Sequence, residues 1–386
     1  MRPTFLRIYI NNFIDNLSQI KSLTTKKTKI CVAVKADAYG HGAIECAKAA
    51  EKFGVDFLAV ASVSEGKELR ENGISLPILL LSLCDISEFD ELVAAEITPF
   101  VFDPEYILSL SSAVKKAGLH SSYNVHLAID TGMGRIGCAP QDASCIAKLI
   151  ADTENLFLEG VATHFSVADS VDFSDIAYTK KQFELFNFAI ESIKKAGISP
   201  GICHCANSAA CISLPETHLD MVRPGIIVYG YYPGEITKAY CVSHGINIDL
   251  KPVMALVSKV SAVRQIKKGE SVSYGRLWTG KQDTKIAVLP VGYADGFFRN
   301  LSDRGLFVEI NQKQYPLIGR ICMDQCMIDL GNDCDVKRGD EAVIFGPEES
   351  GAFQSAQKIA DISGTISYEI TCAFAKKRVP RVYIYR

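Results

Sequence analysis

The sequence lacks any long hydrophobic run and any strong excess of one charge. No stretch approaches the roughly 20 apolar residues that a membrane-spanning helix requires. Its 41 Lys and Arg residues stand against 44 Asp and Glu residues, which gives a formal net charge of −3. A balance so near to neutral provides no electrostatic attraction to nucleic acid or to anionic lipid. We therefore expect neither a nucleic-acid partner nor a membrane partner.

The sequence also lacks the pattern expected of a signal peptide and the spacings expected of a metal site. The N-terminal segment MRPTFLRIYINNFIDNL places charges and Asn within its apolar stretch and has no small-residue cleavage site. Most of the 13 cysteines lie in apolar runs, which is typical of reduced thiols and predicts a cytoplasmic protein. Cys322 and Cys326 have no second pair at zinc-like spacing. Cys203, His204 and Cys205 are adjacent on a predicted strand, where side chains point to opposite faces. We predict no metal site.

What the sequence does contain is a regular alternation of short apolar runs and amphipathic stretches. At 386 residues the chain exceeds the length at which one hydrophobic core usually stops growing, so one large and one smaller domain are expected. Helical stretches lie between most of the apolar runs and are long enough to join parallel strands. The predicted strands of the first region are residues 30–34, 57–61, 78–83, 98–102, 124–129, 157–163, 202–205 and 226–229.

Eight strands alternating with helices predict an α/β fold in which the strands close into a barrel. After about residue 243 the pattern changes to short strands divided by Gly, Asp and Asn turns, at 254–263, 285–290, 306–310, 327–330, 341–345 and 381–385. We therefore predict an N-terminal (β/α)8 TIM-type barrel over residues 1–243 and a smaller, mainly β C-terminal domain over residues 244–386. No linker rich in Pro, Gly or Ser divides them, so the two domains should pack firmly.

Lys35 follows the first predicted strand, in the segment VKADAYGHG of residues 34–42. Reactive groups of βα barrels sit at the C-terminal ends of the strands, which is where Lys35 lies. An amine at the end of an apolar strand is partly desolvated, and this lowers its pKa toward the neutral form that a Schiff base requires. A lysine that caps the strand toward solvent is an equally good interpretation of this feature alone.

The segment AVKADAYGHG resembles the cofactor-lysine segment of alanine racemases. Further matches follow in order along essentially the whole chain: DTGMGRIG at 130–137, THF at 163–165, ANSAA at 206–210, RPGIIVYG at 223–230, VSYG at 272–275, LPVGYADGFFR at 289–299, GRICMDQCMIDL at 319–330 and GTISYE at 364–369. The resemblance implies a pyridoxal 5'-phosphate enzyme that interconverts L-alanine and D-alanine and supplies D-alanine for peptidoglycan. It also implies a homodimer with shared active sites, in which Lys35 carries the cofactor as a Schiff base.

The resemblance further assigns the contacts of the cofactor. A phosphate needs N–H donors and hydroxyl groups, and the family pattern supplies them from Tyr39, Ser208, the amides of Gly225 and Ile226, and Tyr368, in keeping with the phosphate sites of barrels. Asn207 and Ser208 alone are explained equally well by a turn and a helix N-cap. The residues that the resemblance places around the cofactor are Lys35, Tyr39, Arg135, His164, Asn207, Ser208, Arg223, Gly225, Ile226 and Tyr368.

Arg223 matches the family arginine that faces the pyridine nitrogen of the cofactor. A guanidinium effectively never gives up its proton, so the nitrogen should remain unprotonated. The cofactor is then a weaker electron sink than it would be beside a carboxylate, with less leakage into transamination or decarboxylation. By itself, an Arg before Pro-Gly is explained by a surface ion pair.

Racemisation needs a base on each face of the planar α-carbon, one to remove the proton and one to donate it. Lys35 can serve one face, and the resemblance assigns the other to Tyr274 of the partner subunit. A tyrosine with a pKa of about 10 is a poor base at neutral pH, so nearby positive charge must lower it. We expect His164 and Arg223 to be the sources, although a histidine at a strand end can also be an ordinary hydrogen-bonded core residue.

The resemblance assigns the substrate pocket to Arg135, Met323, Asp324 and Tyr293, with the Met323 amide as a contact of the substrate carboxylate. One position departs from the family pattern. Family members often have a lysine where this chain has Ala128, and a carbamate on that lysine helps to orient the arginine that Arg135 matches. Alanine cannot form a carbamate, so another group, such as a bound anion, must hold Arg135.

Four alternatives compete with this interpretation. Residues 132–137 spell GxGxxG, but the run is mid-chain, carries a bulky Arg and reaches Pro140 before a helix begins, which argues against a dinucleotide site. A second alternative is a non-catalytic pyridoxal-phosphate carrier, but such single-domain barrels lack the β domain predicted here. An amino-acid decarboxylase places a carboxylate, rather than Arg223, at the ring nitrogen. A racemase of another small amino acid such as serine differs only in fine detail of the pocket, where Tyr368 favours alanine.

Overall fold

The computed structural model describes residues 3–119, 121–375 and 378–385, and places their strands in an eight-stranded sheet, a nine-stranded sheet and a two-stranded ribbon. In chain order the strands are β1 (Phe5–Tyr9), β2 (Lys29–Ala33), β3 (Phe57–Val60), β4 (Ile78–Leu80), β5 (Ile97–Val101), β6 (Tyr123–Ala128), β7 (Leu156–Ala162), β8 (Ile202–His204), β9 (Met221–Val222), β10 (Met254–Lys259), β11 (Ala262–Ile266), β12 (Ser271–Val272), β13 (Trp278–Thr279), β14 (Thr284–Leu289), β15 (Phe307–Ile310), β16 (Lys313–Ile318), β17 (Cys326–Gly331), β18 (Glu341–Phe345) and β19 (Arg381–Ile384).

Helices connect the strands of the first region and recur near the end of the chain. In chain order they are α1 (Ile10–Leu23), α2 (Lys35–Tyr39), α3 (Ala43–Phe53), α4 (Val63–Glu71), α5 (Phe89–Ala94), α6 (Pro104–Lys116), α7 (Ala143–Asp152), α8 (Phe173–Lys195), α9 (Ser208–Ser213), α10 (Lys238–Ser243), α11 (Ala356–Ser363) and α12 (Ser367–Cys372).

Helix α6 shows how the local sequence produces these elements. Asp103 caps it by accepting a hydrogen bond from the Tyr106 amide at 2.9 Å, and Pro104 occupies the first helical position, where no N–H is needed. Lys115 and Lys116 lie in the last turn, where positive charge is favourable. Its apolar face is buried against the barrel, as expected for a crossover helix.

The eight-stranded sheet is a nearly closed parallel barrel with the order β8-β7-β6-β5-β4-β3-β2-β9. Its two end strands meet where the Asp220 amide donates to the Cys203 carbonyl at 3.1 Å and the Arg223 amide donates to the Ala206 carbonyl at 2.9 Å. Side chains fill the interior, as in TIM-type barrels. The interior cluster contains Cys31, Phe57, Ala59, Leu79, Phe100, Ala128, Ala162 and Met221. The predicted barrel is confirmed.

The eighth strand is not where the sequence analysis placed it. The prediction of a strand at 226–229 is wrong, because Ile226–Tyr229 forms a 3-10 helix and β9 at Met221–Val222 is the eighth strand. All four residues of the 3-10 helix are 0% exposed, and an apolar run buried on every side has no periodicity that separates a strand from a short helix. Gly225, at φ −119° and ψ −96°, redirects the chain between the two elements.

The nine-stranded sheet has the order β11-β14-β17-β16-β15-β18-β10-β1-β19 and is antiparallel except where β1 pairs with β19. Phe5 of β1 lies opposite Val257, so the beginning of the chain joins the sheet of the second region. The sequence analysis predicted no strand before residue 30, and it did not predict β16. The mainly β character of the second region is confirmed.

The two regions share one hydrophobic core. Helix α1 bridges them: the Asn16 amide group donates to the Val228 carbonyl at 3.0 Å and to the Lys251 carbonyl at 2.8 Å. A single cluster of buried apolar side chains continues from Phe13 of α1 to Phe345 of β18. The barrel and the second sheet therefore form one packed body rather than two tethered units. Within the described residues, no helix is long and apolar enough to cross a bilayer.

Candidate active site

Lys35 lies two residues after the end of β2, directly before a left-handed turn of the backbone. Residues Ala36, Asp37, Ala38 and Tyr39 have φ values of 52°, 54°, 53° and 53°. Left-handed conformations cost about 1–2 kcal/mol per non-glycine residue because the Cβ atom crowds the following carbonyl oxygen. Four such residues in succession persist only where the surrounding structure holds them. The turn is therefore an unusual backbone feature directly beside the proposed reactive lysine.

Hydrogen bonds from three directions hold this turn. The Ala36 amide donates to the Glu65 carboxylate at 2.7 Å, and the Ala43 amide donates to the Asp37 carboxylate at 2.7 Å. Arg381, on strand β19 of the second sheet, forms an ion pair with Asp37 and donates to the Gly40 carbonyl at 3.0 Å. The second region therefore braces the segment that carries Lys35.

The Lys35 amine lies in a partly buried, positively charged setting. Burial lowers the pKa of Lys35, and the positive charge of Arg135 adds to this, while Glu65 opposes it. The direction agrees with the expectation from its place at a strand end. A lowered pKa favours the neutral amine, which is the nucleophilic and proton-accepting form.

Arg223 is 7% exposed and is held by several acceptors at once. It donates to the Thr163 carbonyl at 2.7 Å, to the His204 carbonyl at 2.9 Å and to Nδ1 of His204 at 2.7 Å. A further contact of 3.2 Å joins it to Nδ1 of His164. It is therefore a fixed interior group rather than a surface ion pair.

His164 is uncharged in this setting. Burial, together with the positive charges of Arg223, Arg135 and Lys35, lowers the pKa of His164 to about 3. A neutral imidazole supplies no positive charge to a neighbouring tyrosine. Of the two sources of charge expected for Tyr274, Arg223 is therefore the one that carries a positive charge in the single chain.

Tyr39, Ser208 and Gly225 converge at one end of the site. The Gly225 amide donates to the Ser208 hydroxyl at 2.9 Å, and a Cβ atom on Gly225 would lie 2.6 Å from the Tyr39 hydroxyl. Only glycine leaves this approach open. Asn207 caps helix α9 by accepting from the Ala210 amide at 3.1 Å, so it plays the N-cap role that was the alternative for this residue.

These residues surround one cavity of about 550 Å³, a volume typical of cofactor sites. A smaller cavity of about 130 Å³ adjoins it at Lys35 and contains Arg135 and Ala128. Ile226 is fully buried directly behind Gly225. Of the residues predicted to contact the cofactor, the structure brings together around these cavities Lys35, Tyr39, Arg135, His164, Asn207, Ser208, Arg223, Gly225 and Tyr368.

The remaining predicted residues lie apart from this cavity, on an exposed face of the second region. Tyr274 is 68% exposed, Met323 52% and Tyr293 37%, and Asp324 forms an exposed ion pair with Arg378 at 2.6 Å. A backbone hydrogen bond holds two of these segments together, because the Tyr293 amide donates to the carbonyl of Cys322, next to Met323, at 3.1 Å. None of these four residues lines the Lys35 cavity of its own chain.

Several residues of the site were not predicted. Asp169, Glu369 and Met133 line the larger cavity, and Glu65 and Arg381 hold the turn that carries Lys35. Glu369 and Met133 fall inside quoted motifs, GTISYE and DTGMGRIG, so their positions offered a signal that was not used. Arg381 is more than 340 residues from Lys35 in the chain, and only the pairing of β19 with β1 brings it near.

Comparisons with known proteins identify the family of both regions. Residues 8–233 match the model of the alanine racemase N-terminal domain, and residues 253–383 match that of the alanine racemase C-terminal domain. Alanine racemase of Treponema denticola is 50% identical over 386 residues, covering 100% of this chain and 99% of the relative. Alanine racemase of Treponema pallidum is 44% identical over 379 residues, covering 98% of each chain.

Solved structures give the same result. Alanine racemase of Clostridium difficile 630 superposes with a TM-score of 0.91 at 40% identity, covering 100% of this chain and 96% of that chain. Alanine racemase of Bacillus anthracis with bound L-Ala-P superposes with a TM-score of 0.89 at 33% identity, with the same coverage. Sequence and architecture agree over the whole chain, and the protein belongs to the alanine racemase family.

Proposed function

We propose that this chain interconverts L-alanine and D-alanine with pyridoxal 5'-phosphate bound at Lys35, and that it supplies D-alanine for peptidoglycan. One observation carries the proposal. A lysine with a lowered pKa, a fixed guanidinium and a hydroxyl-and-amide cradle converge on a single cavity of cofactor size. The free thiols of all 13 cysteines favour a reducing compartment, so we also propose a cytoplasmic location.

The donor set fits this cofactor at three points. Ser208, Tyr39 and the Gly225 backbone offer hydroxyl and amide groups for a phosphate at one end of the cavity. The Lys35 amine would bond the aldehyde carbon, and the Arg223 guanidinium would face the ring nitrogen. Pyridoxal phosphate bound in this way supplies an electron sink that acidifies the α-carbon of the amino acid.

Arg223 would limit how strong that sink becomes. Its guanidinium keeps its proton under all ordinary conditions, so it can donate to the ring nitrogen but cannot transfer a proton to it. The carbonyl groups of Thr163 and His204 hold the guanidinium in place. A weaker sink favours return of the proton to the α-carbon over loss of the amino group, which is the requirement of a racemase.

Two proton-transferring groups are needed on opposite faces of the α-carbon. Lys35 would serve one face as a neutral amine. Tyr274 of the partner subunit would serve the other, and its 68% exposure in the single chain suits a residue that completes the site of a second copy. The same reasoning assigns Met323, Asp324 and Tyr293 to the partner's pocket and Arg135 to the substrate carboxylate.

The proposal therefore includes a homodimer with two shared sites. In this homodimer the barrel over residues 1–243 would bind the cofactor. The β domain over residues 244–386 would contribute to the partner's active site. A preference for alanine over serine would rest on the narrow approach past Tyr368, because rigid walls reject added bulk.

Reduction with borohydride tests the cofactor assignment. The purified protein should be yellow, and borohydride should join the cofactor to one lysine, which peptide mass mapping should identify as Lys35. The Lys35→Ala variant is the matched control and should bind the cofactor only reversibly. Stable labelling at another lysine of the unaltered protein would reject the assignment.

Subunit mixing tests the shared site. Lys35→Ala and Tyr274→Phe each disable one half of every site in their homodimers. A heterodimer of the two carries one site with both residues intact, so mixing should restore racemisation of alanine. Verified heterodimers without recovered activity would show that Tyr274 does not act across the interface. Parallel assays with L-serine measure the strictness for alanine.

A further inference from the structure

A chain of hydrogen-bonded polar groups runs beneath Arg223, from the buried rings of His204 and His126 to the half-buried carboxylate of Glu159. Nη1 of Arg223 lies 2.7 Å from Nδ1 of His204, and Nε2 of His204 lies 2.8 Å from Nδ1 of His126. Nε2 of His126 lies 3.2 Å from a carboxylate oxygen of Glu159. We call these four residues the barrel relay.

Hydrogen-bonding chemistry gives the barrel relay one direction. A guanidinium has no acceptor, so Nδ1 of His204 must accept and the ring proton of His204 must be on Nε2. That proton is donated to Nδ1 of His126, whose own proton is then on Nε2 and is donated to Glu159. One tautomer of each histidine satisfies all three contacts, so the arrangement is Arg223 to His204 to His126 to Glu159.

Both rings are uncharged. His126 and His204 are each 0% exposed, and burial lowers the pKa of both, with the contact to Glu159 partly opposing this for His126. The barrel relay therefore carries its positive charge on Arg223 and its negative charge on Glu159. In the part of the chain that the structure describes, no carboxylate lies within ion-pair distance of Arg223.

The barrel is shaped around these rings. Gly160 has no side chain where a Cβ atom would lie 2.6 Å from Cε1 of His126. The Phe100 ring lies 6.3 Å from the His126 ring and 6.1 Å from the His204 ring. Asn124 donates to the second carboxylate oxygen of Glu159 at 2.8 Å and leaves the first for His126. Close packing around the rings restricts how far they can turn.

We propose that Glu159 and His126 are positioning residues for the reaction, which orient Arg223 toward the cofactor and supply the counter-charge of its buried guanidinium. The proposal rests on the function proposed above for Arg223 at the ring nitrogen. A buried charge is stable only when it is paired and hydrogen-bonded. The barrel relay supplies a negative charge to Arg223 through two neutral rings. The carboxylate of Glu159 therefore stays away from the ring nitrogen, which a nearby carboxylate would help to protonate.

Substitutions at the far end of the barrel relay test this. Glu159→Leu removes both charge and acceptor, whereas Glu159→Gln keeps an acceptor for His126 at nearly the same volume. Glu154→Gln is the matched control, because it removes one exposed acidic charge just before the same strand. The unaltered holoenzyme and the three variants are compared by alanine racemisation, by pyruvate release and by the ring-nitrogen NMR signals of the histidines.

Pyruvate release reports the position of Arg223. In transamination the amino group of alanine remains on the cofactor and pyruvate leaves, and a protonated ring nitrogen favours this outcome. If Arg223 were displaced, it would no longer keep the ring nitrogen from accepting a proton from water. We expect Glu159→Leu to lower kcat roughly tenfold, as for outer-shell partners of metal ligands, and to raise the ratio of pyruvate to racemised alanine by a similar factor. The kcat and pyruvate ratio of Glu159→Gln should lie between those of Glu159→Leu and of the unaltered protein. Glu154→Gln should have the same values as the unaltered protein.

The NMR spectra separate this proposal from the proposed function. Signals of two neutral histidines protonated on Nε2 should appear in the unaltered protein and change in Glu159→Leu. A changed spectrum with an unchanged pyruvate ratio would show that the barrel relay exists but does not position Arg223. An unchanged spectrum and ratio in a folded Glu159→Leu protein would overturn the proposal entirely. If the unaltered protein did not racemise alanine, the proposed function would fail while the spectra still tested the barrel relay.

Discussion

The two halves of the candidate site differ in how much of their geometry a single chain provides. In the barrel half, Arg223 is 7% exposed and each of its contacts is already formed, and the turn beside Lys35 is held by Glu65 and Arg381. In the second region, Tyr274 is 68% exposed. The cofactor-binding half is thus built within one chain, whereas the half that bears the proposed second base is left open at the surface. In the proposed homodimer, assembly rather than folding would complete the site.

Loss of the lysine should have the largest effect. Lys35→Ala removes one proton-transferring group and the covalent anchor of the cofactor, and one such group typically contributes about 10²–10⁴-fold. We expect racemisation in both directions to fall by at least this factor while the barrel remains folded. Chiral analysis of the product measures the activity, and circular dichroism measures the fold. Activity within tenfold of the parent would remove Lys35 from the chemistry.

Tyr274→Phe should slow proton removal from only one enantiomer of alanine. The variant keeps the ring but loses the hydroxyl, so proton removal from one enantiomer should fall by about 10²–10⁴-fold while Lys35 still acts on the other. Deuterium exchange at the α-carbon, followed separately for L-alanine and D-alanine in heavy water, measures each face. Equal and mild losses for both enantiomers would contradict the assignment of two faces.

Gly225→Ala tests whether the cradle is preformed. The added Cβ atom would approach the Tyr39 hydroxyl to 2.6 Å, and such crowding typically costs about 1–3 kcal/mol. We expect the affinity for pyridoxal phosphate to fall by roughly ten- to a hundredfold, measured by titration of the cofactor-free protein. Gly280→Ala, in the second region, meets its nearest atom at 3.1 Å and is the matched control. Equal affinities in both variants would show that the cradle adapts.

Arg381→Leu tests the brace between the two regions. It removes charged hydrogen bonds to Asp37 and Gly40, which are worth about 1.5–3 kcal/mol each in other proteins. We expect the free energy of unfolding in urea to fall by a comparable amount and cofactor affinity to fall with it, because the turn beside Lys35 loses support. Lys116→Gln breaks an exposed ion pair with Asp90 and should cost under about 1 kcal/mol. Similar losses in the two variants would argue against a brace.

Acidification should weaken the barrel before the second region. Six of the seven histidines lie in residues 1–243, and burial lowers the pKa of both His41 and His164 to about 3. The unfolded state binds protons near pH 6.5 and the folded state does not, so stability is complete above about pH 6.5 and falls as the pH drops toward 3. Hydrogen exchange at pH 7.5 and pH 5.5 should show barrel strands losing protection first. Earlier loss in the second sheet would contradict this distribution.

Most of the barrel strands, and the residues that line the cofactor half of the site, could be predicted from the sequence. Strand β18 occurs at its predicted bounds because an apolar run and the turn residues that flank it are local signals. Local signals failed at Ile226–Tyr229, where full burial removes the periodicity that distinguishes a strand from a short helix. They also failed at β1, whose place is decided by a partner strand some 250 residues away.

By itself, the sequence determined the architecture, the family and the residues with the right chemistry, because apolar spacing and ordered motifs are properties of the chain. Only the tertiary structure decided how those residues act together. It showed that burial lowers the pKa of His164, that Arg381 braces the turn after Lys35 and that two buried histidines connect Arg223 to Glu159. Desolvation, hydrogen-bond direction and long-range contacts depend on what surrounds a side chain, and folding alone assembles those surroundings.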